Sequence, residues 1–247
     1  MKVVLLCAGY ATRMGALTAN FPKALLPVAD RPILDYLIDD LVSLARVSEL
    51  IVVTNHRDHA HFEAWRAGRS SAADPPIRLI DDGTTSNENR LGAIGDLALA
   101  VAEVGVEEPL VVAAGDNLFR IDWDAWLADL EAAPSSMVLV ARETDRTKLQ
   151  RSGVAELDRR GRLLRLWEKP EDPPSELCCP PLYWLTVEAL AQIDGCRAAN
   201  PRADAPGHLI AWLAERVEVR THEMRGERLD VGDTESYAAA AEWLRSR

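Results

Sequence analysis

Long apolar runs are missing from this 247-residue chain. None approaches the roughly 18 residues needed to cross a bilayer. The first apolar stretch, Val3–Ala8, is too short for a signal peptide and leads straight into Gly9 and Arg13. A cytoplasmic chain is therefore expected. Basic residues are also in deficit: 28 Lys and Arg stand against 39 Asp and Glu, a formal charge of −11. Binders of nucleic acid or anionic membranes carry a basic face, so those classes are disfavoured. A small anionic substrate is not, because a few clustered cations or a metal ion reverse the local field. Cysteine is scarce, and Cys7, Cys178, Cys179 and Cys196 show no paired CxxC spacing. Free thiols in a reducing compartment are expected. Neither GxxxxGK[ST] nor GxGxxG occurs, which excludes two widespread phosphate-binding loops.

What is present is ordinary globular composition, with 48% hydrophobic and 27% charged residues. The chain alternates short apolar runs with helical patterns. Val3–Cys7, Leu50–Thr54, Ile77–Ile80, Leu110–Ala114 and Met137–Ala141 read as strands buried on both faces. Ile33–Ala45, Phe62–Ala67, Leu91–Val104 and Trp123–Glu131 read as the helices between them. That order predicts an α/β, Rossmann-like, mainly parallel sheet with helices on both faces. The second half changes character. Val154–Leu157 and Leu163–Glu168 flank an Arg-Arg-Gly turn and predict a hairpin; Leu182–Leu185 and Val217–His222 predict further strands. Val187–Ile193, His208–Arg216 and Thr234–Arg245 predict helices. With no repeat or clear linker, one domain over 1–247 is expected, its later part a smaller β-rich subregion.

The sharpest local feature is Leu5-Leu6-Cys7-Ala8-Gly9-Tyr10-Ala11-Thr12-Arg13-Met14, followed by Phe21-Pro22-Lys23-Ala24-Leu25-Leu26-Pro27-Val28. A buried strand ends at Gly9, where backbone can approach a ligand closely. Arg13 offers a planar fork of donors for phosphate oxygens, and Lys23 a second, compact cation. Further along stand Ala114-Gly115-Asp116-Asn117, Ser152-Gly153-Val154, Trp167-Glu168-Lys169-Pro170, Leu182-Tyr183 and Leu229-Asp230-Val231-Gly232-Asp233. In this order the segments resemble the sugar-phosphate nucleotidyltransferases, or nucleotide-sugar pyrophosphorylases. Their motifs run roughly as LAAGxGTRLxPLTxxxPKxLLPV, GD, YGV, EKP, GIY and W-x-D-I-G-T. The resemblance covers nearly the whole chain. It departs at Cys7, and at Ala11, where the pattern has glycine.

The resemblance implies transfer of a nucleoside monophosphate from an NTP to a sugar 1-phosphate, with release of pyrophosphate. It assigns residues up to about 135 to the nucleotide and those from about 136 to the acceptor and a closing helix. Ala8, Gly9, Arg13 and Gly92 fall on nucleotide-binding positions; Arg13, Lys23 and Asp116 on catalytic ones; Gly153, Glu168 and Lys169 on acceptor-binding ones. Asp116 and Asp230 fall on the positions that hold Mg²⁺, an ion usually bound by one or two carboxylates plus phosphates and water. Asp233 reads instead as the N-cap of the last helix. The polar run Asp81–Asp96 replaces the family's PLGTAGA region and leaves the nucleobase open. Two alternatives stay open: a cytidylyltransferase for a non-sugar phosphorylated acceptor, and a non-catalytic nucleotide-sugar sensor. Self-assembly stays open too. The chain ends soon after the expected last helix, so a C-terminal β-helix or acyltransferase module is not expected. His56, His59 and His61 lack a helical ligand spacing and are not assigned to a metal. Trp123, Trp126, Trp167, Trp184 and Trp212 read as packing residues.

Overall fold

The computed structural model describes residues 1–69, 75–105, 107–132 and 134–246. From β1 (Lys2–Leu6) the chain passes two short 3₁₀ turns into a ribbon of β2 (Pro27–Val28) and β3 (Arg31–Pro32). Then come α1 (Ile33–Ser43), β4 (Glu49–Thr54), α2 (His59–Arg69), β5 (Ile77–Asp81), α3 (Gly92–Val104) and β6 (Leu110–Ala114). After β7 (Asn117–Ile121), α4 (Trp123–Ala132), β8 (Ser136–Arg142) and α5 (Arg146–Leu149) the pattern becomes β-rich. It contains β9 (Gly153–Leu157), β10 (Leu163–Glu168), β11 (Leu177–Cys179) and β12 (Leu182–Leu185). The chain closes with α6 (Val187–Leu190), α7 (Ile193–Ala199), α8 (Pro206–Ala214), β13 (Val219–Glu223), β14 (Gly226–Asp230) and α9 (Thr234–Arg245).

One mixed sheet carries the fold in the order β10-β9-β11-β8-β12-β6-β1-β4-β5, with β13 also beside β8. The β6-β1-β4-β5 part is parallel. β12 joins β6 to β8 in antiparallel fashion, and β11, β9 and β10 continue antiparallel from β8. The expected β-rich subregion is thus the far half of the same sheet.

Continuous apolar strands explain the layering. Along β1, Val3 and Leu5 enter a core with Leu34 and Leu37 of α1, Phe62 of α2 and Trp126 of α4. Val4, between them, enters the opposite core with Ile94 and Leu97 of α3, Ile193 of α7 and Leu213 of α8. Side chains alternate along a strand, so each face needs its own helices. Burying one Leu or Ile contributes about 1.5–3 kcal/mol. A third cluster of Met14, Val28, Ile33, Leu118, Val231 and Ala240 seats α9 over the end of the N-terminal loop. Among the described residues no helix is long and apolar enough to cross a membrane. The four cysteines are buried and free.

The structure corrects two expectations and adds a strand pair. The helix expected over Val187–Ile193 is two helices, α6 and α7. Leu190, Ile193 and Cys196, three residues apart, still enter one core, so both short helices pack the same face inward. β7 and β14 were absent from the sequence pattern because neither is a clean apolar run; they form a separate antiparallel pair. His208 begins no helix: α8 starts at Pro206, whose fixed φ suits the first turn.

Candidate active site

The site begins where parallel strands end. β1 lies between β4, which follows it in the chain, and β6. The connections therefore leave β1 in opposite directions and open a crevice at its carboxyl end. The loops after β1 and β6 run side by side, with Gly115 N–H donating to the Leu6 carbonyl at 3.2 Å. A Cβ on Gly115 would stand 2.3 Å from Cys7 Sγ, so only glycine allows this approach. Gly9 is exposed, with open space where a side chain would be.

Ala8 is buried, and its carbonyl accepts from Asn55 Nδ2 at 3.0 Å. Ala11, the departure from the family's glycine, keeps a left-handed conformation at φ 47°. Its carbonyl accepts from Met14 N–H at 2.9 Å and from Thr18 Oγ1 at 3.0 Å. The loop therefore turns with alanine in place, against a steric cost of about 1–2 kcal/mol.

That turn delivers Arg13 to the Val231–Gly232 segment: a Cβ on Gly232 would lie 3.4 Å from Arg13 Nη2 and 3.8 Å from Asp230 Oδ1. Lys23, at the head of a 3₁₀ turn after Pro22, is ion-paired with Asp116 Oδ2. Asp116 Oδ1 accepts from Asn117 Nδ2 at 2.7 Å. The β7–β14 register puts Asp230 opposite Asn117, and Val231 N–H donates to the Asp116 carbonyl at 3.0 Å. Two carboxylates far apart in sequence thus become neighbours.

Their electrostatics differ. Burial acts to raise Asp116, but Lys23, then Arg228, hold it below the usual carboxylate range. Asp230 is pushed up by burial and by the charge of Asp116, against the pull of Arg228, Lys23 and Arg13. Two carboxylates that repel each other, with hard oxygen donors and spare lone pairs, fit a divalent cation that takes its other ligands from phosphates and water. Among the described residues no group of three or more His, Cys, Asp or Glu is arranged to hold a metal. Asp233 is the N-cap of α9, in a capping box with Ser236.

Gly153, Glu168 and Lys169, the residues expected to meet the acceptor, lie on or beside the β9–β10 hairpin. Glu168 pairs with Gly153 across β10 and β9, and Gly153 pairs with Cys179 of β11. The Glu168 carboxylate points at the start of α8, where a Cβ on Gly207 would meet Oε2 at 1.9 Å. Lys169 is left-handed at φ 51°, its N–H bonded to the Ser152 carbonyl at 3.0 Å and its Nζ 3.5 Å from Glu168 Oε1. A lysine held in a sparsely populated conformation is a usual mark of a functional position.

Gly92, at φ 74°, packs against the loop before α8. A Cβ on it would meet Asp204 Cβ at 2.6 Å, and Ala93 N–H donates to the Asp204 carbonyl at 2.7 Å. Arg90 Nη2 bonds Asp204 Oδ2 at 2.7 Å. The Asp81–Asp96 run is therefore tied to the segment between α7 and α8. Within it, Asp82 accepts from Thr84, Thr84 bonds Tyr10 at 2.9 Å, and buried Asp96 is raised to about 8 by burial and then by Asp82. The three histidines serve separate partners: His56 bonds Asp81, His59 bonds Thr54, and His61 packs against Phe21 with the rings tilted by 58°.

One residue escaped the sequence reading. Arg228 Nε donates to Asn117 Oδ1 at 2.6 Å, and Nη2 lies 3.3 Å from Asp230 Oδ2. Its signal was the i, i+2 spacing with Asp230, which aligns both on one strand face once β14 is known.

The sequence matches the family described as Nucleotidyl transferase over residues 2–247, and the chain belongs to that family. A low-salt glycan biosynthesis nucleotidyltransferase, Agl11 of Haloferax volcanii, is 29% identical over 97% of this chain, and the alignment spans 65% of that protein's length. A UTP–glucose-1-phosphate uridylyltransferase, AglF of the same organism, is 26% identical over 81% of this chain and 77% of its own length. The fold is shared with a crystal structure of UDP-glucose pyrophosphorylase complexed with UDP-glucose: TM-score 0.82, 21% identity, covering 100% of this chain and 99% of that one.

Proposed function

We propose that this chain transfers a nucleoside monophosphate from an NTP to a sugar 1-phosphate, with Mg²⁺, releasing pyrophosphate and forming an NDP-sugar. The observation that carries this reading is the gathering of Arg13, Lys23, Asp116 and Asp230 at the crevice between β1 and β6. In the reaction an oxygen of the acceptor phosphate bonds the α-phosphorus. The α–β phosphoanhydride bond breaks, and its electron pair leaves with pyrophosphate. The attacking oxygen is already anionic at neutral pH, so no base or protein nucleophile is needed. The task is to align two polyanions and offset their charge.

Arg13 and Lys23 bind the leaving pyrophosphate, and the exposed backbone at Gly9 lets the triphosphate approach the loop. Asp116 and Asp230 hold the metal, which when bound neutralises charge on the triphosphate. Lys169 binds the acceptor phosphate and Glu168 accepts from acceptor hydroxyls, with Gly153 keeping the floor shallow. Gly92 and the Asp81–Asp96 run shape the mouth beside the nucleobase. We assign the part up to about 135 to the nucleotide and the remainder to the acceptor and closing helix. The test is pyrophosphate release across all NTPs and a panel of phosphorylated acceptors. Turnover with a sugar 1-phosphate supports the reading; turnover only with phosphorylated non-sugars, or none at all, overturns it.

A further inference from the structure

The N-terminal loop carries Gly9 and Arg13 through a left-handed turn at Ala11, a conformation that a Cβ resists. Two hydrogen bonds onto the Ala11 carbonyl close that turn from within, from Met14 N–H and Thr18 Oγ1. Further grips come from outside, from the loops after β4 and β5, and they fall on either side of Gly9. Before it, the Ala8 carbonyl accepts from buried Asn55 Nδ2 at 3.0 Å, and Asn55 Oδ1 accepts from Asp58 N–H at 2.8 Å. After it, the buried Tyr10 ring lies under the Arg57 guanidinium, 4.7 Å from its carbon to the ring centroid. Arg57 is itself forked onto Asp58 at 2.9 and 2.7 Å. The Tyr10 hydroxyl reaches Thr84 Oγ1 at 2.9 Å.

Thr84 is buried and fixed on every polar atom. Its N–H donates to Asp82 Oδ1 at 2.7 Å and its hydroxyl to Asp82 Oδ2 at 3.0 Å. Its carbonyl accepts from His56 N–H at 2.8 Å. Asp82 N–H donates in turn to the Thr54 carbonyl at the end of β4, at 2.9 Å. A carboxylate oxygen only accepts, so the Thr84 proton is committed to Asp82. The bond to Tyr10 therefore runs one way, from the tyrosine O–H into a lone pair of Thr84. Removing the threonine hydroxyl leaves a buried donor on Tyr10 unpaired and takes a donor from Asp82.

We propose that Thr84 is a positioning residue: through Tyr10 it holds the N-terminal loop in its left-handed turn at Ala11, so that Gly9 and Arg13 keep their places for the triphosphate. The sheet supplies the rigidity, because Asp82 and Asn55 follow directly on β5 and β4. A glycine at position 11 would take the same φ at no steric cost, so the anchor matters most because an alanine stands there. This assignment rests on the proposed transfer reaction; amide exchange tests it apart from turnover.

The variants are Thr84→Val, which keeps the shape and removes the hydroxyl, Thr84→Ser, which keeps the hydroxyl, and Thr84→Val in an Ala11→Gly background. The first readout is hydrogen exchange of the Met14 amide in the ligand-free chain, since that amide bonds the Ala11 carbonyl. The second is calorimetric NTP affinity without acceptor, set against the KM for a sugar 1-phosphate. Thr84→Val should speed Met14 exchange and weaken NTP binding, each roughly ten-fold, with the acceptor KM within about two-fold. Thr84→Ser should stay near wild type. With Ala11→Gly, the NTP loss caused by Thr84→Val should shrink to about three-fold or less. Unchanged exchange and NTP affinity in Thr84→Val overturn the inference while the transfer reading stands. So does a loss that Thr84→Ser fails to restore, one shared equally by the acceptor, or one of the same size with Ala11→Gly. Thr84-dependent exchange and NTP binding in a chain that never turns over would keep the anchor and overturn the transfer reading alone. A wild-type chain that binds no NTP overturns both.

Discussion

On the β1–β6 side of the cleft, Lys23 and Asp116 are 14% and 26% exposed and neutralise one another before any ligand arrives. On the β10 side, Lys169 is 59% exposed and left-handed, with its Nζ 3.5 Å from Glu168 Oε1. The first arrangement is held by core: parallel strands below, Gly115 against Cys7, and α9 behind the loop. The second hangs on the rim of a hairpin. The lesson is that the Lys23–Asp116 pair is positioned by packing, whereas the Lys169 ammonium is left open to solvent; in the proposed reaction these are the leaving-group side and the acceptor side. A buried pair is expensive to break because its partner keeps an unpaired charge. An exposed one is cheap to alter.

The contrast breaks most sharply at the carboxylates. Asp116→Asn and Asp230→Asn each keep size and remove charge, and each should lower Mg²⁺-dependent pyrophosphate release by on the order of 10²–10³-fold. The double variant should lose little more, because either change dismantles the unit. Asp233→Asn should retain most activity, since Asn also caps helices. If Asp233→Asn is inactive and Asp230→Asn active, the roles assigned to the two are reversed.

Next comes the division between the two sides. Arg13→Ala should weaken NTP binding by about 10–100-fold, the value of a charge-assisted contact, with the acceptor KM near wild type. Lys169→Ala should do the reverse, raising the acceptor KM by about ten-fold and sparing NTP affinity measured without acceptor. Equal losses on both substrates in either variant would erase the distinction.

A smaller effect concerns stability under the nucleotide loop. Buried Asp96 has its pKa raised to about 8 by burial and then by Asp82. The folded chain thus keeps a proton that the unfolded chain releases near pH 4. Stability is full below pH 4 and is lost as the pH rises toward 8. Asp96→Asn removes that loss, so thermal melting should show a gain that is absent at pH 4 and grows to several kcal/mol, on the order of 5, by pH 8. A gain independent of pH would place the strain elsewhere.

The smallest effect is at Ala11. Glycine adopts its left-handed φ freely but costs more entropy to order. Ala11→Gly should therefore stabilise the chain by only about 0.5–1 kcal/mol in urea unfolding. Destabilisation would mean that the alanine methyl contributes packing that outweighs the backbone cost.

Much of this was legible in sequence. Val3–Leu6, Leu50–Thr54 and Leu110–Ala114 are apolar on every residue or nearly so, and a run buried on both faces needs no partner to be recognised. The N-terminal loop, Asp116, the Glu168–Lys169 pair and the cap at Asp233 could be read from local chemistry and resemblance; the structure pairs Lys23 with Asp116, sets Lys169 beside Glu168, and caps α9 with Asp233. Arg228 could not, because β14 alternates Glu, Arg, Leu and Asp with no continuous apolar signal and exists only by pairing with β7. Nor could the tie between Gly92 and Asp204, residues more than a hundred positions apart.

By itself the sequence determined the layered α/β plan, because hydrophobic periodicity is a local property that burial reads directly. It also determined which residue types were available for phosphate and metal. Only the tertiary structure decided which of them share a field. Asp230 is pushed up because the β7–β14 register sets it beside Asp116, and the same pairing brings Arg228 onto Asn117 and Asp230. Coulombic coupling depends on distance in space, and the chain order carries no measure of it.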